Sequence, residues 1–294
     1  MTAGVKVNLQ LLTRLRKETF SPLAKARAAL VSTNNDYSAS LALLNAQPAS
    51  SKLATRETRQ GLVSLVRGQR TTLLLELLCE TDFVSKSPDF QHLLQRMSLS
   101  SLIFSAVSAS QILEAPSSAL DSQDKDSVPG ESVSQAITRA SNKMGENIKI
   151  GRVLSLSSAI DPEGPMATVG GYVHSSGTSH VTNLAVAGVG GVKSLGSIAS
   201  LVKLSMEPPA DGALVMDHHG LGKAADKIAQ HIVAMSPTSV SELLDQEMFL
   251  GPDGQTVAAF CQGLSKDFSC NVQIEDIVRM QIGQEQELLK EVDL

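Results

Sequence analysis

Thr71-Thr72-Leu73-Leu74-Leu75-Glu76-Leu77-Leu78-Cys79-Glu80-Thr81-Asp82-Phe83-Val84 is the stretch on which the fold turns. Its apolar run, Leu73–Leu78, is too short to span a membrane. Gly61-Leu62-Val63-Ser64-Leu65-Val66-Arg67 precedes it across Gly68-Gln69, and two strand-like runs around a Gly turn predict an antiparallel hairpin. Downstream, Ser87-Pro88-Asp89 predicts a helix start, with Ser as N-cap, Pro at the first helical position and an acid in the first turn. Asp82 and Phe83 therefore stand side by side on a strand-to-helix loop. Loops held between rigid elements are where binding residues concentrate. Taken alone, Phe83 reads most simply as folding back onto its own core.

Upstream, residues 1–48 predict a small helical module. Leu11, Leu12 and Leu15 share one helical stripe, and Leu23, Ala26 and Leu30 share a second. Ser21-Pro22 predicts the start of the second helix, Asn34-Asn35-Asp36 a break, and Ser38–Leu44 a third helix. Ala49-Ser50-Ser51 reads as a linker. Three helices in so few residues bury little area alone, so the module is expected to dock on something.

Downstream, the pattern predicts a helix over Pro88–Leu113, a loop over 115–130 and a helix over Ser132–Met144 closed by Gly145. Strands are expected at Ile148–Leu156, Ala167–His174 and Val181–Ala187, then a helix at Lys223–Met235, a strand at Asp276–Ile282 and a terminal helix at Gln284–Val292. Helices first, then hairpin, helix, strands, helix and strand is an α+β order with antiparallel sheets. The division expected is a helical module at 1–48 and two α+β core subdomains at 55–145 and 146–294.

Composition narrows the function. The 294 residues are 19% charged and 42% hydrophobic, which fits a globular protein with a sizeable core. Aromatics make up 3% with no Trp, too few for stacking platforms that grip single strands, and a net charge of −5 argues against general nucleic-acid binding. Charge is uneven: residues 1–70 hold 11 Lys/Arg against 3 Asp/Glu, leaving an acidic remainder. Cys79, Cys261 and Cys270 lack metal or redox spacing and fit free thiols in a reducing compartment. Gly188-Val189-Gly190-Gly191-Val192-Lys193-Ser194 lacks the Gly directly before Lys that a phosphate loop needs, and reads as a flexible connection. His218-His219 point apart on any regular element and lack a third ligand, so no metal is expected. No acid–base pair or triad stands out. Neither catalytic residue nor cofactor is expected.

Several modest motifs nevertheless fall in one order. They are Leu12–Thr19, Lys25–Leu30, Glu57–Val63, Thr81-Asp82-Phe83-Val84, Met144-Gly145-Glu146-Asn147-Ile148, Gly171-Tyr172-Val173-His174, Gln230–Pro237, Leu244–Phe249 and Val278–Gln284. Together they resemble the elongation factor Ts family over about residues 11–287, with Gln230–Pro237 similar to its mitochondrial members. The bacterial type's charged coiled-coil insertion has no counterpart after His231. The resemblance implies a UBA-like N-terminal module and a guanine nucleotide exchange factor. The implied partner is elongation factor Tu, GDP-bound and nucleotide-free, in a 1:1 heterodimer without nucleic acid or membrane. It implies the mitochondrial matrix, any presequence absent or removed, with a bacterial-type cytoplasm as alternative. The implied contacts are Thr81, Asp82, Phe83 and Val84, with Met144, Gly145 and His174 beside them and Arg16, Leu23 and Ala24 docking the module. Phe20-Ser21-Pro22-Leu23-Ala24 departs from the family's Gly-Ala-Gly-Met-Met turn. A scaffold using the helical module for another helical or ubiquitin-like partner is the competing expectation.

Overall fold

The computed structural model describes residues 5–46, 51–117, 130–158, 166–175, 185–186, 188–207 and 218–284. Most of the expected loop at 115–130, the expected strand at 181–187 apart from 185–186, and the expected terminal helix beyond Gln284 lie outside the described residues.

Three helices open the chain. α1 (Leu9–Thr19) begins at Asn8, whose side chain accepts the N–H groups of Gln10 and Leu11. α2 (Leu23–Ser32) starts one residue later than Ser21-Pro22 predicts: Pro22 takes the cap position, while Ser21 is buried and its N–H donates to Thr19 Oγ1 at 3.3 Å. The break before α3 (Tyr37–Ala46) is where expected. Asn34 and Asn35 both adopt positive φ, and the Asn35 N–H reaches back to the Leu30 carbonyl at 2.8 Å. Leu12, Leu15, Ala26, Ala29, Leu30 and Leu44 form the small core of this module. A short helical turn, α4 (Ser51–Ala54), stands at the end of the expected linker.

The hairpin forms as predicted. β1 (Gln60–Gly68) and β2 (Thr71–Cys79) pair antiparallel from Gln60 opposite Cys79 to Arg67 opposite Thr72. A four-residue helical turn, α5 (Asp82–Ser85), follows. The single helix expected over Pro88–Leu113 is two, α6 (Pro88–Ile103) and α7 (Ala109–Glu114). Ser105 at φ 52 ends α6, with the Ala106 N–H on the Ser101 carbonyl, and Ser108 with Gln111 opens α7 in a reciprocal capping box. α8 (Val133–Met144) ends at Gly145, whose φ of 73 suits a residue without Cβ. Its start is tied to the far side of the 115–130 segment by the Ser117 N–H on the Glu131 carbonyl at 2.7 Å.

The remainder comprises β3 (Lys149–Ser157), β4 (Met166–His174), β5 (Ala185–Val186), β6 (Gly190–Gly196), β7 (Ile198–Glu207), α9 (His218–Met235), α10 (Val240–Asp245), α11 (Val257–Asp267) and β8 (Asn271–Gln281). Among the described residues two antiparallel sheets result, ordered β3-β2-β1-β6-β5 and β4-β7-β8. The first draws strands from both sides of residue 146. Gly188–Ser194 is not the flexible connection expected: a turn at Gly188-Val189 leads directly into β6. Gly190 to Gly196 pair with β1, and Val192 and Leu195 are buried.

The layers stack as helices, five-stranded sheet, three-stranded sheet, helices. Leu73, Leu75 and Leu77 meet Phe90, Leu94 and Ile112 on one side. Val63, Leu65 and Leu74 meet Val169, Leu201 and Met280 between the sheets. Val202, Leu204 and Ile274 meet Ile228, Ile232, Val257 and Leu264 on the far side. β2 is thus covered on both faces, so its sequence is a nearly unbroken leucine run and not an alternation. The exception, Glu76, is 3% exposed and held by Arg152 through Nε at 3.0 Å and a terminal nitrogen at 2.6 Å. The same guanidinium donates to the Gln281 carbonyl of β8 at 2.7 Å, joining the sheets. Gly151 leaves room for the carboxylate, since a Cβ there would lie 2.3 Å from it.

Candidate partner-binding surface

Cys79 ends β2 and Ser87 caps α6, so only seven residues connect a central strand to a packed helix. Within them Thr81 adopts an extended backbone and caps α5, its hydroxyl accepting the Val84 N–H at 3.4 Å. The strand-to-helix loop is therefore a helical turn. Val84 packs on the core and Ser85 is buried. One turn of helix places the residue just before them outside: Phe83 is 84% exposed, contrary to its simplest reading as a core residue. Asp82 is exposed beside it and paired with Lys86 Nζ at 2.7 Å. The Lys86 hydrogen bond and charge hold its carboxyl below the usual range.

A reciprocal clasp fixes this turn to the end of α8. Glu146 accepts the Glu80 N–H at 3.2 Å and the Thr81 N–H at 3.0 Å on one oxygen, and the Thr81 hydroxyl at 2.6 Å on the other. Glu80 returns the interaction by accepting the Asn147 N–H at 2.7 Å. The Asn147 side chain donates to the Arg56 carbonyl at 2.7 Å, and Arg56 reaches the Gly145 carbonyl at 3.3 Å. The Cys79 thiol lies beneath, donating to the Thr81 carbonyl at 3.2 Å. Burial, then the Glu146 charge, push its pKa up to about 12, so it remains a thiol.

The expected residues fall on the surface as follows. Met144 and Gly145 flank the clasp, with Met144 half-buried against the core and Gly145 exposed. His174 is exposed at the end of β4, and its carbonyl accepts the Ser197 N–H at 3.2 Å. The Ser197 carbonyl accepts the Ile282 N–H at 3.0 Å, and Gly283 lies against the Arg59 carbonyl where β1 begins. His174 therefore belongs to the end of the sheets that carries the turn. Arg16, Leu23 and Ala24 are exposed on the helical module. Leu9, 74% exposed, and Leu23, 53% exposed, flank a groove with Leu12, Arg16 and Lys17. Sequence reading missed the anchors Glu80, Glu146, Asn147 and Arg56. The available signal was the acid pair, one acid just before the turn and one after the Gly that ends α8.

Glu146→Ala is expected to speed hydrogen exchange of the Thr81 amide about tenfold or more, because charged hydrogen bonds of this kind contribute upward of ~1.5 kcal/mol. Unchanged protection by mass spectrometry would show that the turn does not depend on the clasp.

A family model described as Elongation factor TS matches residues 80–250. Among curated relatives, Elongation factor Ts, mitochondrial, of Caenorhabditis elegans is 31% identical over 252 residues, covering 82% of this chain and 71% of the relative. The protein of the same name from Heterostelium pallidum is 27% identical, covering 96% and 81%. That of Nematostella vectensis is 27% identical, covering 93% and 98%.

Proposed function

The chain belongs to the elongation factor Ts family, and we infer that it is the guanine nucleotide exchange factor of elongation factor Tu in mitochondrial translation elongation. Its task is to favour the nucleotide-free state of the GTPase and so promote release of GDP; it performs no chemical conversion itself. Factor and nucleotide then weaken one another by the same coupling factor, so rising nucleotide dissociates the complex. In the GTPase the metal ion bridges phosphates and is held by loop residues. A wedge that displaces the helices behind those loops loosens first the ion and then GDP.

Phe83 is that wedge, and its exposure on a clasped, short-tethered turn is the observation that carries this reading. A turn whose backbone is already fixed loses little further backbone freedom on binding, so only the ring itself has to be ordered. Asp82 makes a polar contact beside it. Thr81 and Val84 hold the turn, while Met144, Gly145 and His174 line the same face. The N-terminal helices form a UBA-like module that docks on the nucleotide domain through Arg16, Leu23 and Ala24. One factor engages one GTPase, first GDP-bound and then nucleotide-free.

The test is release of a fluorescent GDP from mitochondrial elongation factor Tu under excess unlabelled nucleotide. Submicromolar amounts of the chain are expected to accelerate release, and a stable nucleotide-free complex is expected to fall apart on adding GDP with Mg²⁺. Release at the unassisted rate would overturn the reading.

A further inference from the structure

Phe20 stands in the left-handed region, at φ 53 and ψ 18, at the C-terminal cap of α1. That conformation suits glycine and is disfavoured for a bulky side chain. The capping bond itself needs no side chain, since it runs from the Phe20 N–H to the Arg16 carbonyl at 2.9 Å. The Phe20 ring makes its contact outside its own helix. The contact is with α8: Lys143 Nζ lies 5.6 Å from the centre of the Phe20 ring, within cation–π range. α1 and α3 both pack on α8.

Lys143 also ties the last turn of α8 to the helix that follows the Phe83 turn. Its Nζ is 2.9 Å from Asp89 Oδ2, and Asp89 lies in the first turn of α6, directly after the turn. Met144 and Gly145 follow Lys143 in the chain, and Glu146 holds the Glu80 and Thr81 amides. The Phe20 ring therefore touches the helix end that fixes the turn from both sides.

We propose that Phe20 is a positioning residue that locks the helical module to the last turn of α8, so that the module groove and the Phe83 turn meet the partner as one rigid surface. The binding half of this proposal rests on the exchange-factor reading; the docking half does not. Two contact regions on one rigid body act at high effective concentration, and a loosened module loses that advantage. The consequence is a change in the affinity for the GTPase, with the wedge itself intact.

Phe20→Gly in the full chain tests this, because glycine fits the left-handed cap and leaves α1 formed. Phe20→Tyr retains the ring and is the conservative control. In Phe20→Gly, hydrogen exchange within the last turn of α8 is expected to quicken several-fold while the interior amides of α1 keep their protection, and Phe20→Tyr is expected to match wild type. In GDP-release titrations, the GTPase concentration giving half-maximal rate is expected to rise about three- to tenfold, with the saturated rate within about twofold of wild type. Unchanged exchange at α8 in Phe20→Gly overturns the docking role. Quickened exchange with unchanged half-saturation overturns the coupling, and so does an equal fall in the saturated rate. If wild type itself fails to stimulate release, the exchange-factor reading falls and the hydrogen-exchange comparison still decides the docking.

Discussion

Arg152→Met is expected to cost about 3–5 kcal/mol of stability, the usual penalty for removing one member of a buried ion pair. The cost does not come from the Coulomb attraction alone. Glu76 sits on a strand covered on both faces, and without the guanidinium its carboxylate keeps only the Arg152 backbone N–H, at 2.9 Å, of the bonds now made to that residue. The variant also frees the Gln281 carbonyl, which now accepts from Arg152 across the gap between the sheets. Met matches the aliphatic stem, so packing changes little. A double replacement, Glu76→Met with Arg152→Met, removes both charges and is expected to recover most of the loss. Guanidinium or urea unfolding, followed separately by circular dichroism and by protease resistance, checks this. A loss below about 1 kcal/mol in the single variant would show that water reaches the carboxylate.

This pair also shows where sequence reading fails in this chain. Leu73–Leu78 reads correctly as a strand, because a second strand-like run precedes it across a Gly turn. Glu76 inside that run gave no hint of a partner 76 positions away on β3. The same holds for β6, where Gly190 and Gly191 disguise a buried strand as a connector: the lack of a Cβ at Gly190 lets the backbone approach Arg67 and Gly68 of β1, which no local pattern reveals. The helix expected over Pro88–Leu113 runs too far because Ser105 carries no local signal of its positive φ. Local chemistry was legible where it was self-contained. Ser87-Pro88 opened α6, Gly145 closed α8 and Asn34-Asn35 broke the module, each through a bond within a few residues. For the candidate surface, the order of short motifs along the chain pointed to the Phe83 turn. The clasp that makes the turn rigid joins residues 65 to 67 positions apart and became visible only in three dimensions.

Phe83→Ala is expected to lower the second-order rate constant for stimulated GDP release by at least about 30-fold, the equivalent of the ~2 kcal/mol lost when an aromatic anchor at an interface is truncated. The same change is expected to leave the free protein's stability within about 0.5 kcal/mol, because the ring is 84% exposed and contributes nothing to the core. That separation is what gives the variant its force. A core phenylalanine such as Phe90, fully buried between α6 and β2, would lose stability and activity together when truncated. Phe83 should lose activity alone. Asp82→Asn serves as a companion: it removes the charge and its pairing with Lys86 but leaves the turn capped by Thr81, so a smaller loss that weakens as salt rises is expected. The measurement is stopped-flow release of fluorescent GDP across a range of factor concentrations, with thermal unfolding of each variant run alongside. Stimulation by Phe83→Ala at the wild-type level, with its stability also unchanged, would show that Phe83 is not the wedge and would leave the exposed ends of β4 and α8 to carry the contact.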